Sequence, residues 1–164
     1  AQRQLALLLA PRHPQRAQEV LALARERGLS AALWSDLVGG GLAPHPDVLV
    51  ADVIGEMGTL ISAAAVVVMW GSFYPQGRAH GGQNPLEPVA LGRPVLCGPD
   101  MANFSDLLEP LLSAGCLQQC TDVGATLAAA LSLLVQPFPR GHGQSLRLLG
   151  PSQLLASLLL KQCR

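Results

Sequence analysis

The sequence predicts an α/β protein with a doubly wound, mostly parallel sheet and helices on both faces. Short apolar runs alternate along the chain with segments whose apolar residues recur at helical spacing, and glycine or proline separates the two. Strands that alternate with helices in this way are typical of parallel sheets. Of the 164 residues, 49% are hydrophobic, which is enough to bury the core of one such domain.

The first half of the chain predicts three strands and two helices. The run LALLLA (5–10) indicates a strand that is buried on both faces and stopped by Pro11. A helix over 14–27 follows and ends at Gly28. Beyond it we predict a strand over 31–34, a Gly/Pro-rich connection over 38–46, a strand over 48–51 and a helix over 56–64.

The second half continues the alternation after a long polar loop, GSFYPQGRAH (71–80). Its last helix has two candidate capping residues, Thr121 and Asp122. The predicted elements are strands over 66–69, 94–97 and 116–119 and helices over 84–91, 104–114 and 122–134.

These elements define one domain over 1–135. Residues 136–164 begin with PFPRGHG, which is typical of a linker, and continue into a Leu-rich stretch that predicts a C-terminal helix. Two interpretations of that helix stay open. It packs on this domain, or its apolar face packs toward a further, amino-terminal domain.

Composition excludes several classes of function. Lys and Arg together number 11, as do Asp and Glu, and aromatic residues make up 4%, so neither the basic surface nor the stacking residues of a nucleic-acid-binding protein are present. The longest apolar runs are far shorter than the roughly 20 residues that span a bilayer. We therefore expect a soluble, cytoplasmic segment with no nucleic-acid partner.

The cysteines and histidines predict no metal centre. Cys97, Cys116, Cys120 and Cys163 form no CxxC pair and have no histidines at zinc-binding spacing, so we interpret them as buried or incidental thiols. Common catalytic and nucleotide motifs are also absent, because the chain contains no GxGxxG, no Walker A sequence and no GxSxG.

In a parallel sheet, ligands bind beyond the carboxyl ends of the strands, so the loops that follow strands are the candidate sites. In APRHP (10–14), Arg12 is a candidate to bind phosphate or stack on a base, or it is simply a solvated arginine. In DVIGEMG (52–58), Gly55 permits an anion to approach the backbone beside Glu56 and Met57, or it only makes the turn.

The third candidate is GGQNPLEP (81–88). Asn84 is a good helix cap, and Glu87 stands where a capping box returns a hydrogen bond to the cap. That structural interpretation leaves Gly81 and Gly82 unexplained. We expect the two glycines to clear space for a bulky anion, and Glu87 to accept hydrogen bonds from the hydroxyls of a ribose.

Several ordered motifs together resemble the carboxyl-terminal domain of the bacterial 3-deoxy-D-manno-octulosonic acid (Kdo) transferases of lipopolysaccharide biosynthesis. The resemblance extends from about residue 8 to residue 135. It implies the Rossmann-like, donor-binding half of a GT-B glycosyltransferase, which uses CMP-Kdo to glycosylate lipid A precursor at the cytoplasmic face of the inner membrane. The motifs are APRHPQR, DVIGEMG, GSFYP, GGQNPLEPVALGRPVLCGP and NF (103–104).

The resemblance also implies roles for individual residues. Arg12 and the turn at Gly55 would surround the CMP, and Asn84 and Glu87 would hold the nucleotide, with no metal or cofactor. The full set of implied nucleotide-sugar contacts is Arg12, Gly55, Glu56, Met57, Ser72, Gly81, Gly82, Gln83, Asn84 and Glu87.

The sequence departs from the family pattern at two places. Gln83 stands where the family usually has His, and residues 76–80 resemble an insertion. In the family, the catalytic carboxylate, the acceptor site and the association with the membrane belong to an amino-terminal domain, so we expect this chain by itself to bind rather than to catalyse. Two alternatives stay open: a non-catalytic nucleotide-binding or interaction module, and a GT-B half that uses another nucleotide sugar.

Overall fold

The computed structural model describes residues 6–38, 46–73 and 81–135. Strands and helices alternate along these residues as predicted, and every strand pairing between them is parallel. The chain divides into two compact units, Ala1–Leu60 and Ile61–Arg164. Each unit contains one three-stranded sheet.

The sheet of the first unit has its last strand in the middle. Strand β3 (Val48–Val50) pairs on one side with β1 (Leu7–Leu9) and on the other with β2 (Ala31–Leu33), so Leu8 and Ala32 both lie opposite Leu49. The helices are α1 (Ala17–Glu26), α2 (Trp34–Val38) and α3 (Met57–Ala63), within which the division between the units falls.

Helix α1 forms because its apolar residues share one face. A 3-10 turn, Pro14–Arg16, leads into it with proline at the first position, where a missing N–H costs no helical hydrogen bond. Gly28, with φ of 76°, follows the helix in the left-handed conformation that glycine adopts without strain. The core of the unit is formed by Ala17, Leu21 and Ala24 from α1 and by Leu33, Val48 and Val50 from the sheet.

The second unit is built on a sheet with β5 (Val95–Cys97) at its centre. All three residues of β5 are buried, and it pairs with β4 (Val67–Met69) and β6 (Leu117–Gln119). The helices are α4 (Leu86–Ala90), α5 (Ser105–Ser113) and α6 (Val123–Val135), with 3-10 turns at Trp70–Ser72 and Ala102–Phe104. The core consists of Met69, Val89, Val95, Cys97, Met101, Leu111 and Leu117.

Asp122 is the residue that caps α6. Its Oδ1 accepts a hydrogen bond from the backbone N–H of Ala125 at 2.9 Å, and its Oδ2 accepts one from the hydroxyl of Thr121 at 3.0 Å. These two bonds hold the pKa of the Asp122 carboxyl below its usual value. Of the two candidate caps, the structure therefore selects the aspartate.

The α/β class with parallel strands is confirmed, and two local predictions are wrong. Strand β1 is not buried on both faces, because Leu7 is 54% exposed and Leu8 and Leu9 are only partly buried. Trp34 is not the last residue of a strand but the first of α2, which the sequence did not predict. This short helix is supported by a distant residue, because the backbone N–H of Ser35 donates to Asp52 Oδ1 at 3.0 Å and its hydroxyl donates to Asp52 Oδ2. The predicted linker and C-terminal helix over 136–164 lie outside the described residues. Within the described ranges, no helix is both long and apolar enough to cross a membrane.

Candidate functional site

In the first unit, Arg12 lies just beyond the carboxyl end of β1. Its side chain is exposed, and no hydrogen bond or ion pair joins it to another residue of the described ranges. The nearby Arg16 differs, since it forms an ion pair with Glu19 at 3.1 Å. The guanidinium of Arg12 thus has no partner in the described part of the unit.

The turn at Gly55 lies at the same edge of the sheet. It follows β3, whose residue Val50 is paired with Leu9 of β1, and parallel neighbours end on the same side. Gly55 has φ of 88° and is exposed, and a Cβ atom built on it meets nothing within 4 Å. Glycine is therefore required here by the backbone conformation and not by packing.

Glu56 is already engaged by the fold. Its Oε2 accepts a hydrogen bond from the indole N–H of Trp34 at 2.7 Å, and its carbonyl accepts from the backbone N–H of Leu60 at 3.1 Å. Met57, the first residue of α3, is 41% exposed. The predicted contacts of Glu56 and Met57 with a nucleotide stay predictions, and the bond to Trp34 is a structural role that sequence reasoning missed.

In the second unit, Gly81 and Gly82 are explained by packing. Their φ angles are 67° and 81°, which favour glycine. A Cβ atom on Gly81 would overlap the side-chain amide of Asn103, and one on Gly82 would lie 2.6 Å from the sulfur of Met101. The lack of side chains at Gly81 and Gly82 thus allows Met101 and Asn103, which follow β5, to pack against them. That it also makes room for an anion stays a prediction.

The predicted capping box at Asn84 is only half right. Asn84 Oδ1 accepts the backbone N–H of Leu86 at 3.0 Å, as predicted for a residue at the helix start, although α4 begins at Leu86 and Pro85 occupies the N-cap position. Glu87 does not return a bond. Its side chain is exposed and makes no hydrogen bond or ion pair with the part of the chain that the structure describes. The Glu87 carboxylate is therefore not used by the helix start.

Two further residues of the predicted set border this region. Gln83 is exposed, and its Cγ would lie 3.2 Å from a Cβ atom on Gly71. Ser72 is fully buried, and its hydroxyl donates to the carbonyl of Met69 and accepts from the backbone N–H of Gly98 at 2.6 Å. The structure gives Ser72 a role in joining β4 to β5, and its contact with a nucleotide sugar stays a prediction.

The buried thiols are at the centre of this unit. Burial, assisted by the neighbouring Cys120, raises the pKa of the Cys97 thiol to about 11. Among the described residues, no group of three or more His, Cys, Asp or Glu side chains is arranged to hold a metal ion.

The structure therefore assembles the predicted residues into two groups, one in each unit. Arg12, Gly55, Glu56 and Met57 follow β1 and β3 in the first unit. In the second unit, the residues that follow β4 are Ser72, Gly81, Gly82, Gln83, Asn84 and Glu87.

No protein-family model matches the chain. It is 40% identical over 134 residues to a 3-deoxy-D-manno-octulosonic acid transferase of Bordetella pertussis, an alignment that covers 82% of this chain and 30% of that protein. A transferase of the same name from Chlamydophila psittaci is 38% identical over 123 residues, covering 74% and 27%. This chain is homologous to part of the Kdo transferases.

A plant relative extends the comparison. A probable mitochondrial 3-deoxy-D-manno-octulosonic acid transferase of Arabidopsis thaliana is 32% identical over 109 residues, covering 66% of this chain and 23% of that protein. The chain spans less than a third of the length of each of these three relatives. The resemblance inferred from the sequence motifs is confirmed.

A solved structure confirms the fold. The crystal structure of the C-terminal CMP-Kdo binding domain of WaaA from Acinetobacter baumannii matches with a TM-score of 0.71 at 24% identity. The match covers 97% of this chain and 72% of that one. The Rossmann-like α/β fold predicted from the sequence is therefore found in a solved domain.

Proposed function

We propose that this chain is the donor-binding half of a glycosyltransferase that transfers Kdo from CMP-Kdo to lipid A precursor in lipopolysaccharide biosynthesis. The observation that carries the proposal is the 40% identity over 134 residues to a Kdo transferase. The likeness in fold to a CMP-Kdo binding domain supports the same donor.

The second unit offers the ribose-binding group. Because Glu87 is exposed and its carboxylate has no partner in the described residues, both oxygens can accept hydrogen bonds from the vicinal hydroxyls of a ribose. Asn84 keeps one end of its amide engaged with Leu86, which fixes the backbone three residues before Glu87. We assign to this pair the nucleoside of CMP.

The first unit contains a candidate anion-binding group of its own. Arg12 presents a guanidinium that is always charged and matches the geometry of phosphate oxygens, at the carboxyl edge where Gly55 exposes its backbone. Positive charge near the departing phosphate would stabilise the negative charge that develops as the bond to Kdo breaks.

In the complete enzyme the remaining chemistry would come from residues outside this chain. A carboxylate would deprotonate the acceptor hydroxyl, which attacks the anomeric carbon of Kdo with inversion while CMP departs. The acceptor site, and association with the cytoplasmic face of the inner membrane, would belong to that same part. The isolated chain is expected to bind CMP and not to turn over CMP-Kdo.

Calorimetric titration with CMP tests the proposal. Wild type should bind CMP in a saturable manner and in preference to UMP. Glu87→Gln should bind on the order of ten- to a hundredfold more weakly, because charge-assisted hydrogen bonds are worth about 1.5 to 3 kcal/mol. Glu26→Gln is the matched control, since Glu26 is also exposed and has no partner in the described residues.

Each outcome has a distinct meaning. Preference for UMP would indicate another nucleotide sugar, and no binding of either nucleotide would indicate a non-catalytic interaction module. Wild-type binding with equal affinity in Glu87→Gln would refute the role of Glu87 alone. Urea unfolding of the ligand-free proteins should give nearly the same midpoint for wild type and Glu87→Gln, because the carboxylate makes no hydrogen bond or ion pair with the described residues.

A further inference from the structure

The loop that contains Asn84 and leads to Glu87 in the first turn of α4 is held by a segment that sequence reasoning did not include in the site. This segment, Gly98 to Asn103, directly follows β5 and is called the brace. We propose that the brace sets the conformation of residues 81–88 and that Asp100 is its positioning residue for nucleotide binding. This inference rests on the proposed function, because it concerns the same loop.

The brace holds Gly81 on both sides of its peptide backbone. The N–H of Gly81 donates to Asp100 Oδ2 at 3.1 Å, and the carbonyl of Gly81 accepts from the backbone N–H of Asn103 at 3.0 Å. Gly81 is buried, so its polar backbone groups need protein partners. The acceptor for the N–H of Gly81 is a side chain, that of Asp100, and a carboxylate is a strong acceptor for a backbone N–H.

The brace is itself anchored in the sheet. The backbone N–H of Asp100 donates to the carbonyl of Ser72 at 3.0 Å, and the N–H of Gly98 donates to the Ser72 hydroxyl at 2.6 Å. Met101, the residue after Asp100, is 3% exposed and belongs to the core of the unit. A continuous set of hydrogen bonds therefore runs from the end of β4, through the brace, to Gly81.

Sterics leave the loop little freedom once the brace is in place. Gly82 lies so close to Met101 that a Cβ atom would be 2.6 Å from its sulfur and 3.0 Å from the carbonyl oxygen of Asp100. Both glycines have positive φ, a conformation that strains any residue with a side chain. Asn84 and Glu87 follow Gly81 by only three and six residues, so their positions depend on the backbone conformation at residues 81 and 82.

The effect on binding follows from preorganisation. A loop that is competent to bind for only a fraction of the time has its apparent affinity reduced by that fraction. If removal of the Asp100 carboxylate lowers the competent fraction to about one tenth, CMP should bind about tenfold more weakly. Asp100 need not contact the ligand for this loss to occur, which distinguishes it from Glu87.

The test compares Asp100→Ala with Asp100→Asn. In the alanine variant without ligand, amide exchange at Gly81, measured by NMR, should be at least about tenfold faster than in wild type, because its N–H loses its acceptor. CMP affinity, measured by calorimetry, should fall about tenfold. Asp100→Asn retains a carbonyl oxygen at the same place and should restore much of both losses. Asp106→Ala, an exposed aspartate six residues further on, is the control and should change neither.

Three outcomes would overturn the inference: unchanged exchange at Gly81 in Asp100→Ala, faster exchange with unchanged CMP affinity, or equal losses in Asp106→Ala. If Asp100→Ala does not fold, Asp100→Ser, whose hydroxyl is too short to replace the carboxylate, takes its place with the same expectations. Failure of wild type to bind CMP would refute the proposed function instead, and the exchange measurement would still decide whether the brace holds the loop.

Discussion

The buried hydroxyl of Ser72 gives a sharp test of how the second unit is held together. Ser72→Ala removes one oxygen that makes two hydrogen bonds, one from the N–H of Gly98 and one to the carbonyl of Met69. Both partners are buried, so we expect no water to replace the lost hydroxyl. Because the substitution removes one oxygen and creates almost no cavity, the loss in the free energy of unfolding measures the two hydrogen bonds.

The expected loss of stability follows from the two backbone groups that lose a hydrogen-bond partner. A buried donor or acceptor left without a partner costs about 1 to 3 kcal/mol. The Gly98 N–H loses its acceptor outright, whereas the Met69 carbonyl loses one of the bonds available to its oxygen. We therefore expect Ser72→Ala to lower the free energy of unfolding by about 2 to 4 kcal/mol.

Urea unfolding followed by far-ultraviolet circular dichroism measures this change. Ser113→Ala is the control, because it removes an exposed hydroxyl that donates to Glu109 at 3.1 Å on the surface of α5. Surface substitutions of this kind change stability by about 0.5 kcal/mol or less. A loss for Ser72→Ala no larger than that of Ser113→Ala would show that the network joining β4 to β5 contributes little.

Three other substitutions give separate tests. Gly82→Ala should lower the free energy of unfolding by about 2 to 3 kcal/mol in urea titrations, because alanine disfavours φ of 81° and its Cβ would press on Met101; an unchanged midpoint would contradict this. Trp34→Phe should lower it by about 1 kcal/mol through loss of the bond to Glu56, and no loss would show that this bond is not stabilising. Asp122→Ala should be less stable than wild type at pH 6. Since the folded pKa of Asp122 is lowered, the contribution of its charge is fully present above the usual value of 3.8 and is lost as pH falls through the folded pKa, so the difference should shrink; a difference of the same size at pH 2 would refute a role for the charge.

Local sequence signals located most of the fold. Apolar runs placed β1 and β3 to within two residues at each end, and the proline at position 14 and the glycine at position 28 bracketed α1. These signals succeed because they depend on neighbours in the chain: a buried strand needs a short apolar run, and a helix needs an apolar face and suitable ends.

The failures share a physical cause, which is contact between residues far apart in sequence. Helix α2 is supported by Asp52, which is 17 residues from Ser35, and no local pattern reveals this pair. The sequence singles out the glycines at 81 and 82, but it does not reveal their packing against the brace, about 20 residues further on. The motif that contains the brace was visible in the sequence, yet its aspartate had no spacing or chemistry that marked it as a partner of Gly81.

The buried thiols of Cys97 and Cys120 can be used to measure local unfolding of the second unit. Cys97 is 0% exposed and Cys120 is 4% exposed, so a thiol reagent can reach either sulfur only after the strands around it separate. With its pKa near 11, Cys97 also carries little thiolate at neutral pH. Labelling rates at these two positions, mapped by peptide mass spectrometry, would therefore follow the rare excursions in which β5 and β6 come apart. The native chain can be used for this purpose without an engineered probe.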